Sequence, residues 1–106
     1  MLPDAFDVTD KVVFVTGAGR GIGKGIAQVL AEAGADVAIN SLTPRHVEGV
    51  AADIAKASGR KVIPVVADVT NKDGVQKAVD QVMDAFGRID VLINNLGDAI
   101  YKPLVA

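Results

Sequence analysis

Four short apolar runs, separated by three amphipathic stretches, dominate the pattern of hydrophobic and polar positions along the chain. The runs cover residues 12–15, 37–39, 62–66 and 91–93. Each run is rich in β-branched residues and apolar at consecutive positions, a pattern typical of strands buried on both faces of a parallel sheet. We therefore expect four buried, parallel strands.

Between these runs, apolar residues recur every three or four positions, which is the period of an amphipathic helix. The first helix should begin near Gly21 and end at Gly34, and the second should end at Gly59. The third should start at a capping box in residues 70–73 and stop at Gly87. The predicted buried faces are, in chain order, Ile22, Ile26, Val29, Leu30 and Ala33; Val47, Val50, Ala51, Ile54 and Ala55; and Val75, Ala78, Val79, Val82, Met83 and Phe86.

The resulting order, βαβαβαβ with short connections, predicts an α/β fold in which right-handed crossovers join parallel strands. A chain of 106 residues is enough for one small domain. The fourth strand, residues 91–94, should lie at an edge of the sheet, and a bare apolar edge favours self-association. We therefore expect this sequence to belong to a longer polypeptide.

Composition narrows the possible partners. Half of the residues are apolar but only 4% are aromatic, and the formal net charge is -2. No basic stripe is available for a phosphate backbone, so we expect no nucleic-acid partner. The chain has no cysteine, which excludes disulfides and thiolate chemistry, and His46 is the only histidine. No apolar run reaches membrane-spanning length and no secretion signal begins the sequence, so we expect a cytoplasmic protein without membrane contact.

The most informative segment is the glycine-rich turn Thr16-Gly17-Ala18-Gly19-Arg20-Gly21-Ile22-Gly23 between the first strand and the first helix. Glycines there let the backbone turn tightly and approach a pyrophosphate, which the amides of the helix N-terminus can bind. The spacing is T-G-x-x-x-G-x-G. It is neither G-x-G-x-x-G, because position 22 is Ile, nor a Walker A loop, because Gly25 follows Lys24. A plain flexible turn is the alternative interpretation.

This spacing resembles the short-chain dehydrogenase/reductase family, and two further segments agree with it. Asp68-Val69 follows the third strand, and Asn94-Asn95-Leu96-Gly97 follows the fourth and resembles the family's N-N-A-G, with Leu96 in place of Ala. The resemblance runs from Lys11 onward. It implies a Rossmann-type doubly wound sheet with strand order 3-2-1-4, in which residues 11–106 form the first half of the dinucleotide-binding domain and residues 1–10 an extension.

The resemblance, together with the residues around its motifs, also gives a set of candidate cofactor-binding residues. They are Gly17, Gly19, Arg20, Gly21, Ile22, Gly23, Ser41, Arg45, Asp68, Val69, Asn95 and Gly97. In the family, the Asp and the apolar residue after the third strand lie against the adenine ring. Asp68 could also cap the next helix. Asn94 and Asn95 could be ordinary turn residues, but their position after a buried strand favours a role in bracing the sheet and contacting the cofactor.

Cofactor choice depends on the end of the second strand, where enzymes that prefer NAD usually carry an acidic residue. Ser41 occupies that position here. Asp36 begins the same strand, roughly 16 Å away, and we expect it to be solvated. Arg20, and more weakly Arg45, could meet a 2′-phosphate, because a guanidinium suits phosphate oxygens. The sequence thus favours NADP over NAD, unless both arginines are simply exposed charges.

The family transfers hydride between a nicotinamide cofactor and a small carbonyl or alcohol, with a Tyr, a Lys four residues later and a Ser moving the proton. Tyr101-Lys102 is not that pair, since the two residues are adjacent. We expect the cofactor-binding part of an NADP-dependent, 3-oxoacyl reductase-like enzyme that is homo-oligomeric when complete, and no activity from this chain alone. The alternative is a non-catalytic nucleotide-binding or interaction module. A flavodoxin-like or other nucleotide-binding α/β domain is a third interpretation, which three motifs in register disfavour.

Overall fold

Strands and helices alternate strictly in the computed structural model, which describes residues 7–17 and 21–94. The elements are β1 (Val12–Val15), α1 (Gly21–Glu32), β2 (Asp36–Ser41), α2 (Pro44–Ser58), β3 (Val62–Val66), α3 (Lys72–Phe86) and β4 (Val91–Ile93). The predicted βαβαβαβ order is confirmed. The second strand is longer than expected, and α1 ends two residues before Gly34.

The four strands form one parallel sheet with the order β3-β2-β1-β4, as predicted. Val13 pairs with Val37 on one side and with Val91 on the other. Side chains alternate between the two faces of the sheet. Val13 and Val37 pack with residues of α1 and α2, whereas Phe14 and Ala38 pack with residues of α3. Helices on both faces make this a Rossmann-type, doubly wound fold.

The predicted buried face of helix α1 is confirmed only in part. Among the α1 residues whose burial the structure describes, Gly23, Ala27 and Ala31 are buried, while Val29 is 60% exposed. Ile26 and Leu30 pack at the margin of the core. The small residues recur at i and i+4, and they let the helix lie close to the sheet. The prediction was wrong for Val29, because close packing favours small side chains where α1 meets the sheet.

The two outer strands are less buried than their sequences predict. In β3, Pro64 and Val66 are exposed, and in β4 Val91 and Leu92 are about 40% exposed. Each strand pairs with one neighbour only in the described part of the chain. Beyond β4, on the α3 side, an apolar cavity of about 200 Å³ opens. Its lining residues are Phe14, Thr16, Val69, Val75, Val79, Ile89, Leu92 and Asn94.

Pro64 protects the edge formed by β3. Lys61 and Ala67 flank β3: the Lys61 carbonyl accepts from Val37 N, and Ala67 N donates to the Ser41 carbonyl. The backbone groups of odd-numbered residues therefore face β2 along this segment. Because the backbone groups of successive strand residues point to opposite sides, the backbone nitrogen and carbonyl of Pro64 point away from β2, towards the open edge of the sheet. Because proline has no N–H, the outer side of this strand lacks a donor for a further strand.

The start of α3 differs from the predicted capping box. Asn71, not Thr70, is the N-cap, and its Oδ1 accepts from Gly74 N at 2.7 Å. Gly74 is buried against the preceding turn, where an added Cβ would overlap the carbonyl oxygen of Asp68. The predicted buried face of α3 was also wrong at two positions, because the side chains of Val75 and Met83 are each 43% exposed.

Ion pairs join the elements at the amino end of the strands. Arg60 Nη2 lies 3.1 Å from Asp10 Oδ1 and 3.2 Å from Asp36 Oδ1. Asp36 also accepts from Lys61 N, so the expectation that it is merely solvated was wrong. The reason is the crossover through α2, which returns the chain beside the start of β2. No helix in residues 7–17 and 21–94 is long and apolar enough to cross a membrane.

Candidate nucleotide-binding site

The glycine-rich turn lies at the carboxyl end of β1, in the centre of the sheet. Gly17 has φ +62° and Gly21 has φ +66°, both in the left-handed region that glycine adopts without steric cost. Gly21 also begins α1, whose first turn contains no acidic residue. The turn therefore delivers the chain to a helix N-terminus whose partial positive charge favours an anion.

Asn40, in β2, joins this turn to the end of β3. Its side chain is only 1% exposed. Oδ1 accepts from Gly17 N at 3.4 Å, and Nδ2 donates to the carbonyls of Val65 at 3.0 Å and Ala67 at 3.1 Å. A buried amide thus holds backbone atoms from two segments that sequence analysis assigned to one site.

Thr16 joins the same turn to β4 on the other side. Its N–H donates to the Ile93 carbonyl at 2.9 Å, and its hydroxyl donates to Asn94 Oδ1 at 2.9 Å. Thr16 is 6% exposed, so these bonds satisfy a polar residue within the core. Of the two readings of Asn94, a plain turn residue or a brace of the sheet, this contact supports the brace.

Asp68 and Val69 follow β3 at the same edge. The Asp68 carboxylate accepts from Thr70 N at 3.0 Å and from the Thr70 hydroxyl at 2.5 Å. The hydroxyl bond, with the backbone bond second, lowers the pKa of Asp68 below the ordinary aspartate value. Asp68 therefore orders the turn before α3 and does not cap that helix, since Asn71 does. Val69 is half-buried and packs against the core beneath α3.

Ser41 ends β2 and Arg45 lies in the first turn of α2. Ser41 is half-buried and Arg45 is exposed. The first turn of α2 contains no acidic residue, and the same is true of α1. The part of the edge beside β2 is therefore free of carboxylates in the described residues from Asn40 to Val47.

The structure brings most of the sequence-predicted residues to one edge. Gly17 and Gly21 open the site, Ile22 and Gly23 lie in the first turn of α1, and Gly23 is buried. Gly19, Arg20, Asn95 and Gly97 lie outside the described residues.

Sequence analysis missed two residues at this edge. Asn40 is not among the candidate residues, and Thr16 appears only as part of a motif. The available signal for Asn40 was a polar side chain in the interior of β2, on the same face of the sheet as Ala38.

Comparison with known proteins decides the family. A short-chain dehydrogenase model matches residues 11–104. The chain belongs to the short-chain dehydrogenase family. It is 39% identical over 106 residues to an uncharacterized oxidoreductase from Mycobacterium tuberculosis, a match that covers all of this chain and 40% of that protein. The expected family resemblance is thereby confirmed.

Solved structures of the family share the fold. L-sorbose reductase from Gluconobacter frateurii, complexed with NADPH and L-sorbose, superposes with a TM-score of 0.83 at 30% identity. That match covers 93% of this chain and 38% of the reductase. An NAD+-bound xylitol dehydrogenase matches with a TM-score of 0.80 at 38% identity, over 85% of this chain and 34% of the dehydrogenase. This short-chain dehydrogenase sequence spans about two fifths of the length of such relatives.

Proposed function

We propose that this short-chain dehydrogenase sequence forms the cofactor-binding part of an oxidoreductase that transfers hydride between NADP(H) and a small carbonyl or alcohol. The pyrophosphate would lie at the glycine turn, between Gly17 and the first turn of α1. The adenine would lie beside Asp68 and Val69, and the nicotinamide half would extend towards Asn95 and Gly97. When bound, the nicotinamide supplies the hydride, and the residues of this chain bind and orient it.

One observation carries the proposal: two left-handed glycines, Gly17 and Gly21, connect the central strand to a helix N-terminus at the carboxyl edge. Ligands of open α/β sheets bind at that edge, at the point between β1 and β4 where the strand order reverses. The helix amides and the lack of acidic residues in both first turns favour the negatively charged pyrophosphate.

The choice of NADP over NAD rests on the edge beside β2. Ser41 stands where an acidic residue would repel a 2′-phosphate, and the exposed Arg45 lies four residues further on. Arg20, in the glycine turn, is the main proposed partner of the 2′-phosphate. NADPH and NAD+ are each bound in a structure similar to this chain, so the choice needs a direct test.

Calorimetric titration with NADP+ and NAD+ tests the proposal in the complete protein that carries this sequence. We expect Arg20→Ala to weaken NADP+ binding roughly tenfold or more relative to NAD+, because a hydrogen bond to a charged group contributes about 1.5–3 kcal/mol. Ser41→Asp should shift the preference further towards NAD+, and Lys77→Ala, an exposed cation on α3, should change neither affinity. Equal losses for both cofactors in Arg20→Ala would refute the NADP assignment, and no binding to wild type would refute the function.

Catalysis is proposed to need residues beyond these 106. The only tyrosine, Tyr101, is followed directly by Lys102, and Val105 stands four positions after it. The proton-transferring pair of the family requires Lys at that fourth position. We expect the 106-residue polypeptide, expressed alone, to show no NADPH oxidation with carbonyl substrates. Turnover that persists after purification to homogeneity would contradict this.

A further inference from the structure

Asn40 is a buried amide that makes all of its recorded contacts with the backbone. Its side chain lies on the same face of the sheet as Ala38, which is fully buried. A buried amide is costly unless it is hydrogen-bonded, so a polar residue at this position needs specific partners. Those partners are Gly17 N, Val65 O and Ala67 O, with the carbonyl of Ser41 at 3.5 Å.

These partners belong to segments that the sheet itself does not join. Strand β2 separates β1 from β3, and the β1–β2 register ends at the pair Val15–Ile39. Gly17 lies beyond that pair and begins the glycine turn. Ala67 directly precedes Asp68, at the proposed adenine subsite. The side chain of Asn40 therefore crosses the gap between the two halves of the proposed dinucleotide site.

An amide meets the requirements of this position better than other side chains of similar size. It presents one acceptor to the Gly17 amide and two N–H donors to the two β3 carbonyls. An aspartate would place carboxylate oxygens against Val65 O and Ala67 O, and a leucine would leave all three backbone groups without this partner. Removing one partner of a buried hydrogen bond costs more than the bond itself contributes.

We propose that Asn40 is a positioning residue for the dinucleotide, a role that rests on the function proposed above. It holds the start of the glycine turn at a fixed distance from the end of β3, so that the pyrophosphate and adenine subsites match one cofactor. Asn40 acts by positioning backbone segments that would contact NADP+ and NAD+ in the same way. Substitution of Asn40 should therefore weaken the binding of both cofactors equally, unlike substitution of Arg20.

The test uses Asn40→Leu and Asn40→Asp in the complete protein that carries this sequence, with Ser58→Ala as the matched control. Ser58 also bonds only to backbone, donating to Ile54 O at 2.7 Å and accepting from Arg60 N, but at the opposite end of the strands. Calorimetry with NADP+ and NAD+, well below each melting temperature, gives affinity per folded molecule. Hydrogen exchange of residues 16–17 and 66–69 in the unliganded protein reports the link directly.

We expect both Asn40 variants to bind NADP+ and NAD+ about tenfold more weakly or worse, and to exchange faster in both segments. Ser58→Ala should lower the melting temperature while leaving both affinities unchanged. If Asn40→Leu does not fold, Asn40→Ser replaces it, because its shorter side chain cannot reach both segments. Unchanged affinity or unchanged exchange in a folded Asn40 variant would overturn the proposal, whereas failure of wild type to bind either cofactor would overturn the proposed function as well.

Discussion

The two ends of the parallel sheet are held together by different chemistry. At the amino end, charged side chains pair with one another: Arg60 with Asp10 and Asp36, and Arg88 with Asp90 at 2.8 Å. At the carboxyl end, neutral side chains bond to backbone or to each other, through Asn40 and Thr16. Left-handed glycines occur at both ends: Gly17 and Gly21 in the turn at the carboxyl end, and Gly34, Gly59 and Gly87 where the helices end at the amino end.

This difference separates stability from binding. At the amino end, the opposite charges within each ion pair neutralise one another, and the pairs fix the starts of the strands. At the carboxyl end, the neutral side chains of Asn40 and Thr16 fix the glycine turn without adding negative charge to it, so the helix amides of α1 remain suited to an anion. The Asp68 carboxylate also lies at this end, but it orders the turn that follows β3. We therefore expect substitutions in the ion pairs of the amino end to change stability but not cofactor affinity, and substitutions at Gly17 and Gly21 to do the reverse.

The largest expected effect on binding comes from Gly21→Val. No heavy atom lies within 4 Å of an added Cβ, so space is not the obstacle, but φ +66° is strained for a β-branched residue. The chain should leave this conformation, and dinucleotide binding should be lost while circular dichroism keeps its α/β signature.

The control for Gly21→Val is Gly25→Val, one turn later in α1. Gly25 also has open space around a Cβ, and it has no positive φ. Its affinity for dinucleotide should equal that of wild type. Equal affinities for both variants by calorimetry would break the assignment of the carboxyl turn to phosphate.

Gly74→Ala should have the largest effect on stability. The new Cβ would overlap the Asp68 carbonyl oxygen, so backbone must shift, at a cost of about 1–3 kcal/mol or more. Chemical denaturation measures this loss. Gly49→Ala in α2 is the matched control, since its Cβ meets nothing within 4 Å and alanine favours a helix interior by roughly 0.5–1 kcal/mol. A Gly74 variant as stable as wild type would mean that α3 starts further from Asp68.

Arg60→Ala tests the amino end. Arg60 and Asp36 are each about one quarter exposed, so we expect a stability loss of only about 1 kcal/mol. Dinucleotide affinity should not change. Lys77→Ala, which removes an equal charge from an exposed site on α3, should leave both stability and affinity unchanged. Weaker cofactor binding in Arg60→Ala would show that the two ends are coupled.

The smallest expected effect is on the loss of stability at acid pH. The Val12 N–H, with help from Arg88, keeps the pKa of Asp90 below the ordinary aspartate value of 3.8, although burial opposes this. A lowered pKa means that Asp90 contributes stability above the unfolded value and loses it as pH falls through the folded value. Asp90→Asn should therefore flatten the acid loss below about pH 4. An acid profile identical to wild type would assign that loss to other groups, such as Asp68.

Sequence alone predicted the strand order and all four strands, three of them with the observed bounds, because consecutive β-branched residues and a glycine motif are local signals. It failed where packing is decided by distant segments. Val29 is exposed because α1 approaches the sheet through Gly23, Ala27 and Ala31. Asp36 is paired because Arg60, 24 positions later in the chain, returns beside it.

The site was predicted less completely than the fold. Gly17, Gly21 and Asp68 belong to motifs whose spacing can be read along the chain. The partners of Asn40 in the glycine turn and after β3 lie 23 to 27 positions away in the sequence, so no local pattern predicts these contacts. The N-cap of α3 is Asn71 and not the predicted Thr70, because the hydroxyl of Thr70 donates to the Asp68 carboxylate instead.

The most direct test of the central claim is an NMR titration of the isotopically labelled protein with NADP+. The account predicts that amide shifts concentrate at the carboxyl end, at Gly17, Gly21 to Lys24, Ser41, Asp68 and Val69. The amides of Asp10, Arg60 and Arg88, at the amino end, should not move. Shifts centred on the amino end, or a spectrum unchanged by saturating NADP+ and NAD+, would contradict the assignment of the carboxyl end as the dinucleotide site.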